Sequence, residues 1–227
     1  MMIGGRFFRI LLVLLLFTLV SEVRPAVRLA PGAKPVREFT IIPAESSFWV
    51  FVGKAGLFSV LAHDHNIGIR NFTGKVTIPN DPDGLNGLER KITDSGLEMK
   101  IDTRSLTLLD DKISDGDRAK ITRSMHEVVL ESARYPEAAF RSAGVTGVAG
   151  RGDGRFSLQL SGDLTLHGVT RRITIPVSLQ LTSGQLKASG KYTLRQSDFG
   201  IQPYSTAGGT IRVRNDVVVS FDIVARQ

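Results

Sequence analysis

The chain has 227 residues, 42% hydrophobic and 22% charged, a balance that excludes a disordered chain and suits a protein that buries a core. It contains no cysteine, which excludes disulfides, thiolate metal sites, a cysteine nucleophile and a bacterial lipoprotein anchor. The formal charge of +7 raises nucleic acid as a partner, a reading that depends on where the charges sit.

Arg6 and Arg9 precede an uncharged run from Ile10 to Ser21, 12 residues long, which Glu22 closes. A membrane-spanning helix needs about 20 residues, so residues 1–26 read as a secretory signal peptide. The cleavage point is open: no small-x-small site follows Val20, Ala26 is the next alanine, and an uncleaved anchor is the alternative. Residues 27–36, in a stretch with three prolines, read as an extended linker, and folding is expected to begin near Arg37.

Period-two alternation predicts strands at 38–43 and 46–53, read as a first hairpin, with 60–70 a further candidate and 72–79 and 95–103 following. The spacing changes at Ser114-Asp-Gly-Asp117. A capping serine stands three residues before an acidic one, and Ile121, Met125, Val128 and Val129 recur at helical intervals. This predicts one substantial helix over 114–131, ended by Tyr135-Pro136, serving either as a lid or as plain packing over an open end. A strand over 138–146 follows, and Gly150-Arg-Gly-Asp-Gly154 reads as a hairpin loop. Phe156, Leu158, Leu160, Leu164 and Leu166 then share one face, and Ile173, Ile175, Val177, Leu179 and Leu181 another beyond a turn at His167-Gly168. Strands at 185–196 and 210–224 complete the chain.

Eight to ten strands with turn-rich joints and no crossover helices predict an all-β chain, a single antiparallel barrel of about eight strands with one inserted helix. An outer-membrane barrel wants aromatic girdles at two heights. One tryptophan and three tyrosines cannot supply them, so the apolar face is expected inside. Such an interior is either filled by side chains or wide enough for one small ligand. No Gly-x-Ser-x-Gly elbow, phosphate loop, His-Glu-x-x-His helix or dinucleotide fingerprint occurs.

Several runs together resemble the YceI-like, or polyisoprenoid-binding, family over about residues 37–225. They are Gly162-Asp-Leu-Thr-Leu-His-Gly-Val-Thr170, Ser197-Asp-Phe-Gly-Ile201, Tyr135-Pro136 with Phe140, Val213-Arg-Asn-Asp-Val-Val-Val-Ser-Phe-Asp-Ile223 and the opening Phe39-Thr-Ile-Ile-Pro-Ala-Glu-Ser-Ser47. The resemblance implies that 37–227 form an extended lipocalin-like barrel in the bacterial periplasm. It implies an apolar tunnel for an isoprenoid chain such as that of a quinone or its precursor, with no catalysis and no cofactor.

Burial of one CH₂ is worth about 0.8 kcal/mol, so a tunnel of Leu, Ile, Val and Phe suffices to bind such a chain. The inward candidates are Phe48, Val50 and Val52, then Leu97 and Met99, then Leu158, Leu160 and Leu164, and finally Ile175, Val177 and Phe221. The alternative is that they only fill a packed core. Where typical family members carry a glycine- and arginine-containing stretch, this chain has Leu61-Ala-His63-Asp64-His65-Asn66. His63 and His65 project to one face of a strand, with His126 on the helix able to approach them. They are read as contacts to a ligand head group, as the start of a metal site in a metal-binding or hydrolytic envelope protein, or as hydrogen-bonding residues at a bulge. His167 reads as a turn residue, Asp198 as a side chain that bonds nearby backbone amides, and Tyr204 as lining the entrance.

Without residues 1–26 the chain keeps 26 basic and 21 acidic residues, a charge of +5. Arg171, Arg172, Arg212 and Arg214 on strands, and Arg118, Lys120 and Arg123 on the helix, spread over an outer surface without stacking aromatics, which argues against nucleic acid. A basic exterior favours transient approach to anionic membrane surfaces, where a lipid carrier loads and unloads. A homodimer is left open.

Overall fold

The computed structural model describes residues 36–55, 64–80, 87–206, 208 and 211–227; the signal-peptide reading, all but the last residue of the linker, and His63 lie outside them. The strands in the first half are β1 (Val36–Ile41), β2 (Ser47–Ala55), β3 (His65–Ile69), β4 (Phe72–Pro79), β5 (Gly96–Asp102) and β6 (Leu106–Leu108). Those in the second are β7 (Glu137–Gly150), β8 (Arg155–Leu166), β9 (Val169–Leu181), β10 (Gln185–Arg195), β11 (Ser205–Thr206) and β12 (Ile211–Arg226). Two α-helices interrupt them, α1 (Leu88–Thr93) and α2 (Asp115–Ser124). The alternation did not reveal α1, whose six residues span less than two helical turns.

Eight strands close a ring in the order β1-β4-β5-β7-β8-β9-β10-β12 and back to β1, antiparallel throughout. The closing contact is short, Thr40 opposite Arg226 and Ile41 opposite Ala225. The expected eight-stranded antiparallel barrel is therefore the observed one. Beyond the ring, β2, β3 and β6 extend the wall from β12 at one end of the barrel.

The expected first hairpin does not exist. β1 and β2 do not pair with each other; both lie along β12, as two pieces of one strand. Pro43 has no N–H to give a ladder, and the chain there makes a 3-10 turn over Pro43–Glu45. Ser46 mends the break: its hydroxyl donates to the Ile42 carbonyl at 2.7 Å and accepts from the Val224 N–H at 3.0 Å. The neighbouring pieces break beside it, β3 from β4 at Arg70 and Asn71, and β5 from β6 at a 3-10 turn over Thr103–Ser105. Ser105 again supplies the missing bond, its Oγ accepting from the Asn71 N–H at 2.9 Å. Three adjacent breaks let the wall bend, so the barrel is a closed ring at one end and a splayed sheet at the other.

Apolar side chains face inward. At the ringed end Phe39, Ile41, Phe72, Ile78, Phe156, Leu158, Val177, Leu181 and Ile223 fill the interior, and α1 adds Leu88 and Ile92. Outside, charged residues pair across the ladder, as Arg141 with Glu98 at 3.1 Å and Arg172 with Asp163 at 2.6 Å. The hydrogen-bonded Arg172 guanidinium holds the Asp163 carboxyl below its ordinary pKa. Asp163 belongs to a run that carries the family resemblance, and its task is this exterior pair.

The turn between β8 and β9 is the two-residue hairpin that the sequence suggests. Both central residues have positive φ, His167 at 52° and Gly168 at 74°, a backbone that matches the twist of the flanking strands.

Candidate functional site

The splayed end encloses a cavity of about 720 Å³. Its floor is aromatic: Phe48 meets Phe72 edge-on at 5.7 Å between ring centroids and Phe221 at 6.3 Å, separating the hollow end from the packed one. From the floor, Val50 and Val52 of β2 rise along one side, with Ile67 and Ile69 of β3 and Leu106 of β6 beside them. Val217 and Val219 of β12 stand next to Val52 and Val50 in the ladder, and Leu194 of β10 and Leu164 and Leu166 of β8 continue the wall beyond them, with Ile201 from the loop after β10.

The remaining wall is a helix in place of a strand. Among the described residues β6 pairs only with β3, so its far edge would present bare carbonyls. Arg118 of α2 donates to the Leu108 carbonyl at 2.9 Å and to the Asp110 carbonyl, and His126 Nε2 donates to the Leu106 carbonyl at 3.1 Å. These three carbonyls sit two residues apart, the edge positions that a further strand would have bonded. Ser114 starts α2 as a cap, its Oγ accepting from the Asp117 N–H at 3.2 Å while donating to the Asp117 carboxylate at 2.8 Å. The helix runs on as a π turn over Met125–Val129, where the Leu130 N–H bonds the Met125 carbonyl five residues back. That wider turn carries Val128 out to solvent at 65% exposure, whereas Ile121, Met125, Val129 and Leu130 face the cavity. The helical spacing had grouped Val128 with them.

The histidines take separate places. His65 stands on the cavity wall, its Nδ1 donating to Asp110 Oδ2 at 2.9 Å, and Asp110 Oδ1 accepts from the Asn66 N–H. His126 is not brought beside it. With Nε2 on Leu106, its Nδ1 meets the Ser132 hydroxyl at 3.0 Å, so both ring nitrogens are engaged in holding the helix. Asp64, which bonds the Lys54 N–H, points elsewhere. Among the described residues no three His, Asp or Glu side chains gather as a metal site. His167 was expected to serve its own turn; instead its Nε2 reaches Glu131 Oε2 at 2.8 Å and its ring lies 4.1 Å from that of Tyr135. The turn around Asp198 is shaped by Asn215, which bonds Ser197 through its side-chain oxygen and nitrogen at 2.9 and 2.8 Å, and not by the Asp198 carboxylate.

The residues picked out by alternation thus divide by height. Phe48, Val50, Val52, His65 and Leu164 line the cavity. Leu97, Met99, Leu158, Leu160, Ile175, Val177 and Phe221 pack in or against the core of the ringed end. Tyr204 stands at the cavity's outer end. Val217 and Val219 carried the right alternation in the sequence, whereas the cavity residues of β3 and β6 lie on pieces too short for it to register.

Polar residues collect at that outer end. Lys54, next to last in β2, stands opposite Val213, next to Arg212; Lys112 comes two residues after Asp110, the partner of His65; and Asp117 and Lys120 pair on α2 at 3.4 Å.

An antiparallel barrel with a packed end and an apolar hollow end, roofed by a helix, defines a protein built around a buried ligand space. The chain belongs to the YceI-like domain family, whose model matches residues 39–225. A UPF0312 protein of Vibrio parahaemolyticus is 39% identical over 87 residues, 38% of this chain and 40% of that one. A UPF0312 protein of Shewanella denitrificans is 32% identical over 135 residues, 57% of this chain and 64% of that one. The chain spans about half the length of the curated relatives it matches. Two solved structures share the fold. BcnA of Burkholderia cenocepacia has a TM-score of 0.58 at 19% identity, over 81% of this chain and 98% of that one. A polyisoprenoid binding domain from Saccharophagus degradans has a TM-score of 0.56 at 15% identity, over 83% and 97%.

Proposed function

We propose that the protein is an exported, periplasmic carrier that holds an isoprenoid or other long-chain lipid in the cavity between β2, β8, β12 and α2, without catalysis. The observation that carries this reading is the cavity itself, about 720 Å³ walled by Val, Ile, Leu and Phe above an aromatic floor. Family membership and the polyisoprenoid-binding neighbour in S. degradans support it. A prenyl or acyl chain offers only apolar surface. At about 0.8 kcal/mol per CH₂, fifteen carbons supply about 12 kcal/mol of gross driving force, against an association cost of about 4–15 kcal/mol. At about 30 Å³ per water-sized group, the cavity takes on the order of two dozen non-hydrogen atoms.

The test is extraction of the purified protein with organic solvent followed by mass spectrometry, together with uptake of prenol and fatty-acid probes. Co-purifying lipid or saturable uptake is expected. A protein that comes clean and takes up neither probe overturns the reading.

A further inference from the structure

Resting on that lipid-binding reading, we infer that Phe48 sets the length of tail the cavity accepts, so that binding improves with chain length up to about 15–20 carbons and no further. The lower limit of the cavity falls at one level of the ladder. Phe48, Phe221, Gly190, Val177 and Leu158 stand opposite one another in a single row across β2, β12, β10, β9 and β8. Of these, Phe48 alone borders the cavity, while Val177 and Leu158 are buried and Phe221 packs against the same core. Two residues along their strands from Phe48 and Phe221, Val50 and Val219 both line the cavity. The same step recurs on β5, where Ile101 lines it and Met99 packs against the core.

The Phe48 ring is held in place from two sides. It meets Phe72, which is buried, and Phe221, both edge-on. Phe221 in turn lies across Gly190, where a Cβ would come within 2.6 Å of its Cζ. Rings packed this closely do not part to let a chain through. At about 30 Å³ per water-sized group, the space above them takes a tail of about 15–20 carbons with a small head. Each CH₂ that finds room there tightens binding about fourfold. The excess of a longer tail stays in water beyond the outer end, where it adds nothing. The cavity therefore suits an acyl chain of common length or about three to four isoprene units, and not the full length of a long polyprenyl chain.

The test is displacement of a fluorescent fatty-acid probe from the purified chain by saturated acids from decanoate to tetracosanoate. With Phe48 in place, affinity is expected to climb about fourfold per carbon and to level off at about 15–20 carbons. Phe48→Ala removes six carbons and Phe48→Leu a net three. The plateau is expected to move out by up to about six and up to about three carbons, less what the surroundings recover by relaxing. Dodecanoate binding that persists in a variant shows that it folds, and Phe48→Leu serves where the alanine variant is too unstable. An affinity that keeps climbing to tetracosanoate with Phe48 in place, or a plateau that stays put in the folded variants, overturns the length inference and leaves the carrier reading standing. Binding of none of these acids, nor of farnesol or geranylgeraniol, overturns both.

Discussion

Single residues in the recurring motifs are placed by steric need more than by ligand chemistry. Gly162 is buried on β8, and a Cβ there would meet the Arg141 carbonyl at 2.6 Å and run into the Phe140 ring, which lies over it from β7. Gly168 is the same case at the turn, with positive φ and Tyr135 Cε1 at 2.9 Å from where its Cβ would stand. Gly162→Ala is therefore expected to lose about 1–3 kcal/mol of stability, as overpacking does, measured by urea denaturation. An unchanged midpoint would mean that the β7–β8 contact can relax. The neighbouring motif residues bind one another in the same way. Tyr135 packs on His167 with the two rings tilted at 49°, and the Tyr135 and Pro136 carbonyls accept from the Thr103 hydroxyl and N–H at 2.7 and 2.9 Å. The resemblance to a family was thus carried largely by residues that make turns and close approaches.

At the level of elements, α2 is a lightly anchored wall of the cavity. None of its ten residues is buried. It is held by Arg118 and His126 on the edge of β6, and beyond the π turn by Glu131 on His167. Removing Arg118 would leave the Leu108 and Asp110 carbonyls without their donor, at a cost of about 1–3 kcal/mol for buried acceptors. In Arg118→Ala, hydrogen exchange is expected to quicken in β6 and α2 while the ring strands β8, β9 and β12 keep their protection. Exchange that rises evenly over the whole barrel, or not at all, would show that these bonds do not fix the helix. The lack of buried residues on α2 also follows from the hollow beneath it: Ile121 has the cavity to face, and burial resumes only at Met125 in the π turn.

For the whole molecule, the larger core fills one end of the barrel, and at the other a smaller one of Leu194, Phe199, Ile201 and Val217 backs the cavity. Phe39 is fully buried in the ringed end, and Phe39→Ala should cost about 3–5 kcal/mol through the void it leaves. Val219, on the cavity wall, has open space before it. Val219→Phe is expected to cost less stability than Phe39→Ala because the added ring has the cavity to enter, while lipid uptake falls because that ring occupies ligand volume. Denaturation midpoints and probe uptake on the same samples check both statements. A Val219→Phe protein as unstable as Phe39→Ala would show the upper interior to be packed. Among the described residues, closure of the ring through β1 and β12 leaves no free edge at the packed end. β6 is the edge that needed a helix to cover it.

Alternation in the sequence determined most of the strands and, with no crossover helices between them, their antiparallel sense, while the scarcity of tryptophan and tyrosine set the apolar face inward. The Ser114 cap and the His167-Gly168 turn were equally local, because caps and turns depend on a few adjacent residues. The family was legible for the same reason, through short motifs. Height along the barrel was not. Leu158 and Leu164 share a face six residues apart, yet one packs beneath the aromatic floor and the other opens onto the cavity. A period of two records which side of a sheet a residue faces and nothing about its level within the barrel. The pairing of β1 and β2 along β12, Asp110 as the partner of His65 and the gathering of Lys54, Lys112 and Arg212 were likewise decided by tertiary structure. Each joins residues far apart in the chain, whose meeting depends on ring closure and register rather than on their neighbours in sequence.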